Sequence, residues 1–267
     1  MLSEKYDIII QGGQSNAEGC GLGPVTKEYT PCDKIFVLEA EKEVYVDGDK
    51  GAAVRYLEKP FPIKMAQERM IGKNIIGDFS LTFARSYLEK GYLSKDRKLL
   101  IIRAAIGGTG FYKKHWGVQD KLYLKMLEMT DYALSLNPDN KVVACLWHQG
   151  EHDAFEGNLP ENYHQQFSDM LAALRDKYGD IPFIAGDFVN EWKQQNIKIC
   201  EPIVNEIKKV ISKTKNARFV ETFDLLSNNQ EIGNGDPIHF SRESLHKLGE
   251  RYFDALISIW DIEKLII

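Results

Sequence analysis

The sequence predicts a three-layer α/β/α domain: a doubly wound, largely parallel sheet of five strands, with a sixth at its edge, covered by helices on both faces. Three observations lead there. Apolar runs of strand length alternate with helix-period segments along the whole chain. The central run Leu99-Leu100-Ile101-Ile102 is continuously apolar, as a strand buried on both faces is. Length and composition also fit, because 267 residues with 43% hydrophobic and 27% charged side chains suffice for one domain, 1–267, with a sizeable core.

Tyr6 to Ile10 is the first strand, and Lys34 to Leu38 the second. Val44-Tyr45-Val46 before Asp47-Gly48 has the pattern of a small hairpin. From Asp49 to Gly77 periodicity is weak and charges are frequent, so residues 49–77 are expected to form an irregular insertion at the rim of a site. Phe79 to Lys90 reads as a helix with Phe79, Phe83, Ala84 and Tyr87 on one face and Gly91 closing it. After the strand at Leu99 comes a glycine-rich turn, Ile106 to Gly110. Lys121 to Leu136 is helical by its Leu122, Met126, Met129 and Ala133 spacing and ends at Asn137-Pro138. Val142 to Trp147 is the fourth strand. Pro160 opens a helix that Gly179 ends, Ile181 to Phe188 is the fifth strand, and Glu201-Pro202 starts another helix. Arg218 to Thr222 adds the edge strand. A last helix follows Ser241, its expected N-cap, with Glu243 in the first turn.

Composition narrows the partners. The net charge is −5 with Lys and Arg scattered singly or in pairs, so there is no basic stripe to neutralise a nucleic-acid backbone. No run is long and apolar enough to span a membrane, and Met1 to Tyr6 lacks the parts of a signal peptide. Cys20, Cys32, Cys145 and Cys200 form no C-x-x-C pair, which suits free thiols in the cytoplasm better than a disulfide or zinc framework. No cofactor motif is present.

Chemistry concentrates at strand ends. Gln11-Gly-Gly-Gln-Ser15-Asn16 leaves the first strand as a turn whose glycines expose backbone N–H groups beside the Ser15 hydroxyl. In a flavodoxin-like strand order, 2-1-3-4-5, strands one, three and four are neighbours. The turns at Ser15, Gly108 and Gln149-Gly150-Glu151 then meet at the topological switch point. Serine needs a base to become a nucleophile. Asp236 and His239 offer one: Pro237 keeps the segment out of a helix, and a tight turn lets the carboxylate accept from Nδ1–H while Nε2 faces Ser15. A helix-preceding turn with an incidental surface histidine is the other reading of Asp-Pro-Ile-His.

Four blocks, in register, resemble a known family. Gln11 to Asn16, Ile106-Gly-Gly108-Thr109, Trp147-His-Gln149-Gly-Glu151-His-Asp153 and Asp236-Pro-Ile-His239 are similar to the motifs of SGNH hydrolases. They look most like those of the sialate O-acetylesterase-like branch, which includes the acetylxylan esterases of carbohydrate esterase family 6. Phe83-Ala84 and Leu248 to Arg251 extend the resemblance over nearly the whole chain. It implies a serine esterase that removes acetyl groups from a carbohydrate, with Ser15 as nucleophile, His239 as base and then acid, and Asp236 orienting the imidazole. The N–H groups of Ser15 and Gly108 and the side chain of Gln149 would form the oxyanion hole, with Asn16, Glu151 and Asp153 hydrogen-bonding behind them. Two positions depart from the pattern: Ala17 where many relatives carry Met, and His152 in place of a small polar residue.

Other readings of the same residues exist. His148-x-x-Glu151-His152 spells an inverted zinc-protease signature, which requires a helix, whereas here it follows a strand and contains Gly150. A non-catalytic sugar or nucleotide binder could use the same crevice, although the loop has neither a P-loop ending nor a dinucleotide fingerprint. Tyr112, His115, Trp116, Phe155 and Trp192 follow strand ends on the crevice side, where flat rings can stack on a sugar or simply anchor loops.

Overall fold

The structure, a computed structural model, describes residues 4–46, 52–57 and 61–266. The chain runs β1 (Tyr6–Gly13), α1 (Ser15–Glu18), β2 (Ile35–Leu38), β3 (Lys42–Val46), β4 (Ala52–Tyr56), β5 (Ile63–Met65), β6 (Arg69–Ile71), β7 (Asn74–Ile76) and α2 (Phe79–Glu89). It continues through β8 (Lys98–Arg103), α3 (Lys121–Ser135), β9 (Lys141–His148), α4 (Glu151–Glu156), α5 (Pro160–Tyr178) and β10 (Phe183–Gly186). The last elements are α6 (Asn190–Gln195), α7 (Ile197–Lys213), β11 (Ala217–Val220), α8 (Asn228–Ile232) and α9 (Arg242–Ile266).

Seven strands form the main sheet in the order β11-β10-β9-β1-β8-β2-β5, all parallel except β5, which pairs antiparallel with β2. The fold class is the expected α/β, and counting β1, β8, β9, β10 and β11 as strands one to five recovers the order 2-1-3-4-5. The assignment of strands to that order needs correction. Ile35–Leu38 is not strand two but an addition outside it, and β1, rather than the Leu99 strand, lies in the middle of the three strands that carry the turns. Local sequence could not decide this, because a buried apolar run carries no label for its neighbour.

Alternate residues of each central strand face opposite layers. Ile9, Ile101, Leu146 and Ile184 pack with α2 and α9 residues such as Phe79, Phe83, Leu248 and Tyr252. Ile10, Cys145, Trp147 and Phe183 pack with Met126 of α3, Phe167 and Met170 of α5 and Ile207 of α7. On the first face the backbones of α2 and α9 approach so closely that a Cβ at Gly249 would lie 2.0 Å from Thr82 Oγ1. Gly249 is therefore a packing requirement, and it accounts for the glycine in the Leu248 to Arg251 motif.

The insertion at 49–77 is more ordered than expected. Among its described residues β4 pairs antiparallel with β3, β5 joins the sheet edge, and β6 pairs with β7. Met70, Ile71 and Ile75 on the second hairpin are exposed, so no buried face imposes a period on the sequence. The hairpin expected at Val44 to Val46 is present as β3 and β4, while its proposed turn, Asp47-Gly48, lies outside the described residues. Helix α7 begins at Ile197, ahead of the expected Glu201-Pro202. Pro202 removes the helical donor to the carbonyl of Lys198, which is exposed. Ser241 does cap α9, accepting from the N–H of Ser244 at 3.2 Å. Among the described residues no helix is long and apolar enough to cross a membrane.

Candidate active site

Parallel register brings the ends of β1, β8 and β9 level, with Gln11 beside Arg103 and Gly13 beside His148. Gly13 makes the bend possible: its φ is +124°, and a Cβ there would sit 2.1 Å from the carbonyl oxygen of His148. The chain then turns into the short α1, whose first residue is Ser15.

Ser15 Oγ lies 2.9 Å from His239 Nε2. The other imidazole nitrogen, Nδ1, donates to the Asp236 carboxylate, 3.0 Å from one oxygen and 2.9 Å from the other. Asp236 is held in turn by Asn228 Nδ2 at 2.9 Å and by the N–H of His239 at 3.3 Å. Burial raises the Asp236 pKa, but hydrogen bonds from His239 and Asn228 outweigh it and leave the carboxyl below its ordinary range. For His239 burial disfavours the imidazolium, but the hydrogen bond to Asp236 outweighs it and raises its pKa above the ordinary value.

The Ser15 hydroxyl opens on a cavity of about 410 Å³ lined by Gln14, Ser15, Gly108, His152, Ile238 and His239, with Glu151 and Phe155 completing its wall. Among the described residues, the backbone N–H groups of Ser15 and Gly108 have no acceptor within the chain. The neighbouring Gly107 N–H is taken by Glu18 Oε2 at 2.7 Å. Both donors belong to residues that line the cavity with the hydroxyl.

Buried polar side chains tie the turns together. Asn16 donates to Glu151 Oε1 at 2.9 Å and to the carbonyl of Ile238 at 3.1 Å, and it accepts from the N–H of Phe240 at 3.1 Å. Glu151 is fully buried; burial raises its pKa, and the His148 imidazole 3.5 Å away and the hydrogen bond from Asn16 bring it below the ordinary value. Asp153 accepts from the N–H groups of Phe111 and Tyr112 and from Asn158. Sequence reasoning missed Gln14 as a participant. Its Oε1 accepts from the N–H of His152 at 3.0 Å, joining the Ser15 turn to the start of α4. Its neighbour Ser15 and its place in the first block were the available signal.

Several expected contacts need correction. Gln149 is buried behind the cavity wall: its Nε2 donates to Asp153 Oδ2 at 2.6 Å, with the Thr109 carbonyl and Gln14 Oε1 each at 3.3 Å. Both amide protons thus have acceptors within the protein. Trp116 is buried against Trp147 and donates from Nε1 to Thr109 Oγ1 at 2.9 Å, so it braces the Gly108 turn from inside. Trp192 is buried against Phe188. Indole rings bury large apolar areas, and core packing has claimed both. Tyr112 is half exposed on the loop after Gly108, outside the cavity lining. His115 accepts the Gly110 N–H at 3.0 Å, and its ring centre is 6.4 Å from that of His152. Phe155, 72% exposed, is the aromatic ring on the cavity wall.

His148 ends β9, fully buried, while Glu151 and His152 lie in α4. The two histidines therefore do not share a helical face as the zinc-protease signature requires, and no group of three potential metal ligands occurs among the described residues. The four cysteines are free thiols.

Comparison with known proteins places these features in context. The family model described as carbohydrate esterase, sialic acid-specific acetylesterase matches residues 5–258. A probable 9-O-acetyl-N-acetylneuraminic acid deacetylase of Escherichia coli K12 is 30% identical over 228 residues, spanning 71% of this chain and 69% of the relative. The crystal structure of NanS superposes with a TM-score of 0.72 at 20% identity, covering 98% of this chain and 99% of that one. A protein from Arabidopsis thaliana gives 0.68 at 19% identity, covering 96% and 98%. At these identities the two structures speak to the fold.

Proposed function

The chain belongs to the carbohydrate esterase family of sialic acid-specific acetylesterases, and from that premise we infer that it removes acetyl groups from O-acetylated sialic acids through an acyl-enzyme on Ser15. It is a carbohydrate O-acetylesterase by family; the sialic acid substrate and the residue roles are the inference. One observation carries the roles: the unbroken line from Asp236 through His239 to Ser15 Oγ, with contacts of 2.9 Å at both ends of the imidazole.

The chemistry follows from that line. Ser15 Oγ attacks the acetyl carbonyl as its proton passes to His239 Nε2, and Asp236 stabilises the imidazolium so formed. The carbonyl oxygen becomes an oxyanion facing the free N–H groups of Ser15 and Gly108. When the intermediate collapses, the C–O bond to the sugar breaks and His239 returns its proton to the departing sugar oxygen. Water then attacks the acetyl-Ser15 ester, again losing its proton to Nε2, and acetate leaves as Ser15 regains a hydrogen. Gln149 acts from behind, fixing the Gly108 turn through Asp153 and Thr109. Residues 1–267 work as one catalytic unit, and the free thiols suit the cytoplasm.

The test is acetate release from 9-O-acetylated sialic acid, acetylated xylo-oligosaccharides and 4-nitrophenyl acetate, by wild type and Ser15→Ala. Release from the sialic acid, abolished in a folded Ser15→Ala, is expected. Sugar binding without hydrolysis of any ester by the wild type would favour a lectin-like role.

A further inference from the structure

A second cavity, of about 530 Å³, is lined by Glu39, Glu41, Lys42, Lys64, Gln67, Arg69 and Arg103. Glu18, three residues after Ser15, connects two of these side chains to the Gly107 turn. Glu18 holds the Gly107 N–H with Oε2 at 2.7 Å, and its Oε1 is 3.8 Å from Lys42 Nζ and 3.7 Å from an Arg69 nitrogen.

The charges in this basin are unequally satisfied. Buried Arg103 is matched by Asp78 at 2.7 Å and Glu39 at 3.3 Å, and Lys42 by Glu39 at 2.8 Å. Burial raises the Glu39 pKa, but Lys42 and Arg103 bring it down to about 2, so it stays ionised and committed to them. Glu41 has an interaction of its own. Arg69 is different. Among the described residues its guanidinium makes one hydrogen bond, to the Gly19 carbonyl at 3.3 Å, its nearest carboxylate is 3.7 Å away, and its buried Nε has no partner. The Lys64 ammonium, exposed at the cavity edge, forms no ion pair or hydrogen bond among the described residues. A half-buried guanidinium with spare N–H groups can take a carboxylate bidentately, and an ammonium beside it with no partner among the described residues adds a supporting charge.

We propose that this basin is the subsite for the carboxylate of an acidic sugar, with Arg69 as its anchor and Lys64 as the supporting charge. The proposal rests on the esterase reading above. It also fixes which esters suit the enzyme: the acid sits across Glu18 from Ser15, so the acetylated oxygen must lie at the end of the ligand remote from the carboxylate.

The experiment measures acetate release from a 9-O-acetylated sialic acid and from its carboxyl methyl ester by wild type, Arg69→Gln and Lys64→Ala. Wild type is expected to favour the free acid by about tenfold or more in kcat/KM, the size of a charge-assisted hydrogen bond to an ionised group. Arg69→Gln should erase that preference mainly through KM, and Lys64→Ala should reduce it. Wild type treating acid and methyl ester alike would overturn the proposal. So would Arg69→Gln losing both activities equally while Lys64→Ala keeps the full preference, because Arg69 would then serve only to hold Gly19. Inorganic phosphate or sulfate inhibiting as strongly as free sialic acid would reduce the basin to a general anion site and also refute it. Cleavage of 4-nitrophenyl acetate without release from any acetylated sugar would fail at the earlier step, the carbohydrate reading itself.

Discussion

Asp236→Asn is the most direct probe of the line that ends at Ser15. Every partner of the Asp236 carboxylate is a donor: Asn228 Nδ2 on one oxygen, the His239 N–H on the other, and His239 Nδ1 within 3.0 Å of both. An asparagine must place its NH₂ on one of those sides, and either choice sets a donor against a donor. The cheapest relief is to move the imidazole proton from Nδ1 to Nε2. Ser15 then faces an N–H that cannot accept its proton. The expected loss in kcat is about 10⁴-fold, or ~5.5 kcal/mol in barrier. The pH profile should move as well. His239 works as a base only when neutral, and its pKa is raised above the ordinary histidine value of 6.5, so wild-type activity should rise with pH along a limb on the alkaline side of that value. In the variant the opposing effect of burial remains without the carboxylate, and the limb should shift toward acid. Initial rates on 4-nitrophenyl acetate across pH measure both effects. Retention of more than about a tenth of kcat, where a wrong tautomer should remove thousands-fold, or a limb that does not move, would refute the reasoning.

Gln149→Ala removes the donors that hold Asp153 and the Thr109 carbonyl, so the Gly108 N–H loses its support; kcat on a simple acetate ester should fall by roughly 10²-fold or more, on the order of 3 kcal/mol, with substrate binding retained. Trp116→Ala should cost about 3–5 kcal/mol in stability, read as a lowered Tm, because the ring is wholly buried. Phe155→Ala should do the opposite, leaving Tm within about a degree or two, as exposed substitutions do, while raising KM for the acetylated sugar. Incubation with a zinc chelator should leave the rate unchanged; stoichiometric zinc lost together with activity would revive the His148, Glu151 and His152 metal reading.

The elements that sequence located well are those with a buried face. Leu122, Met126, Met129 and Ala133 point inward from α3, and Tyr163, Phe167, Met170 and Leu171 from α5, as their spacing implied. The reacting groups were legible for a different reason. A hydroxyl after a strand and a His three residues beyond an Asp each have few structural uses in combination with the other blocks. What stayed illegible depends on the third dimension. The sheet position of Ile35–Leu38 is decided by pairing, the insertion strands have exposed faces, and Trp116 follows a site turn in sequence yet its ring points into the core. The basin around Arg69 also escaped notice, because its charges come from the β2 end, the insertion and β8, and only folding puts them together.

The motif blocks therefore hold more than the groups that react. The first and third blocks carry braces that reach other parts of the site. Gln14 beside Ser15 accepts from the start of α4. Asn16 spans to Glu151 and to both neighbours of His239, and Asp153 gathers the loop after Gly108 with Gln149. Glycine-rich turns have little stiffness of their own, so without such bonds the separation of Ser15 from His239 would follow loop motion. Removing one brace would cost only about 1–3 kcal/mol as a buried hydrogen bond, but near-attack geometry makes rate far more sensitive to position than stability is. Polar side chains buried at a site of this kind are therefore held in place by the alignment of Ser15, His239 and the free amides, and that requirement explains why residues that never touch substrate sit next to the one that does.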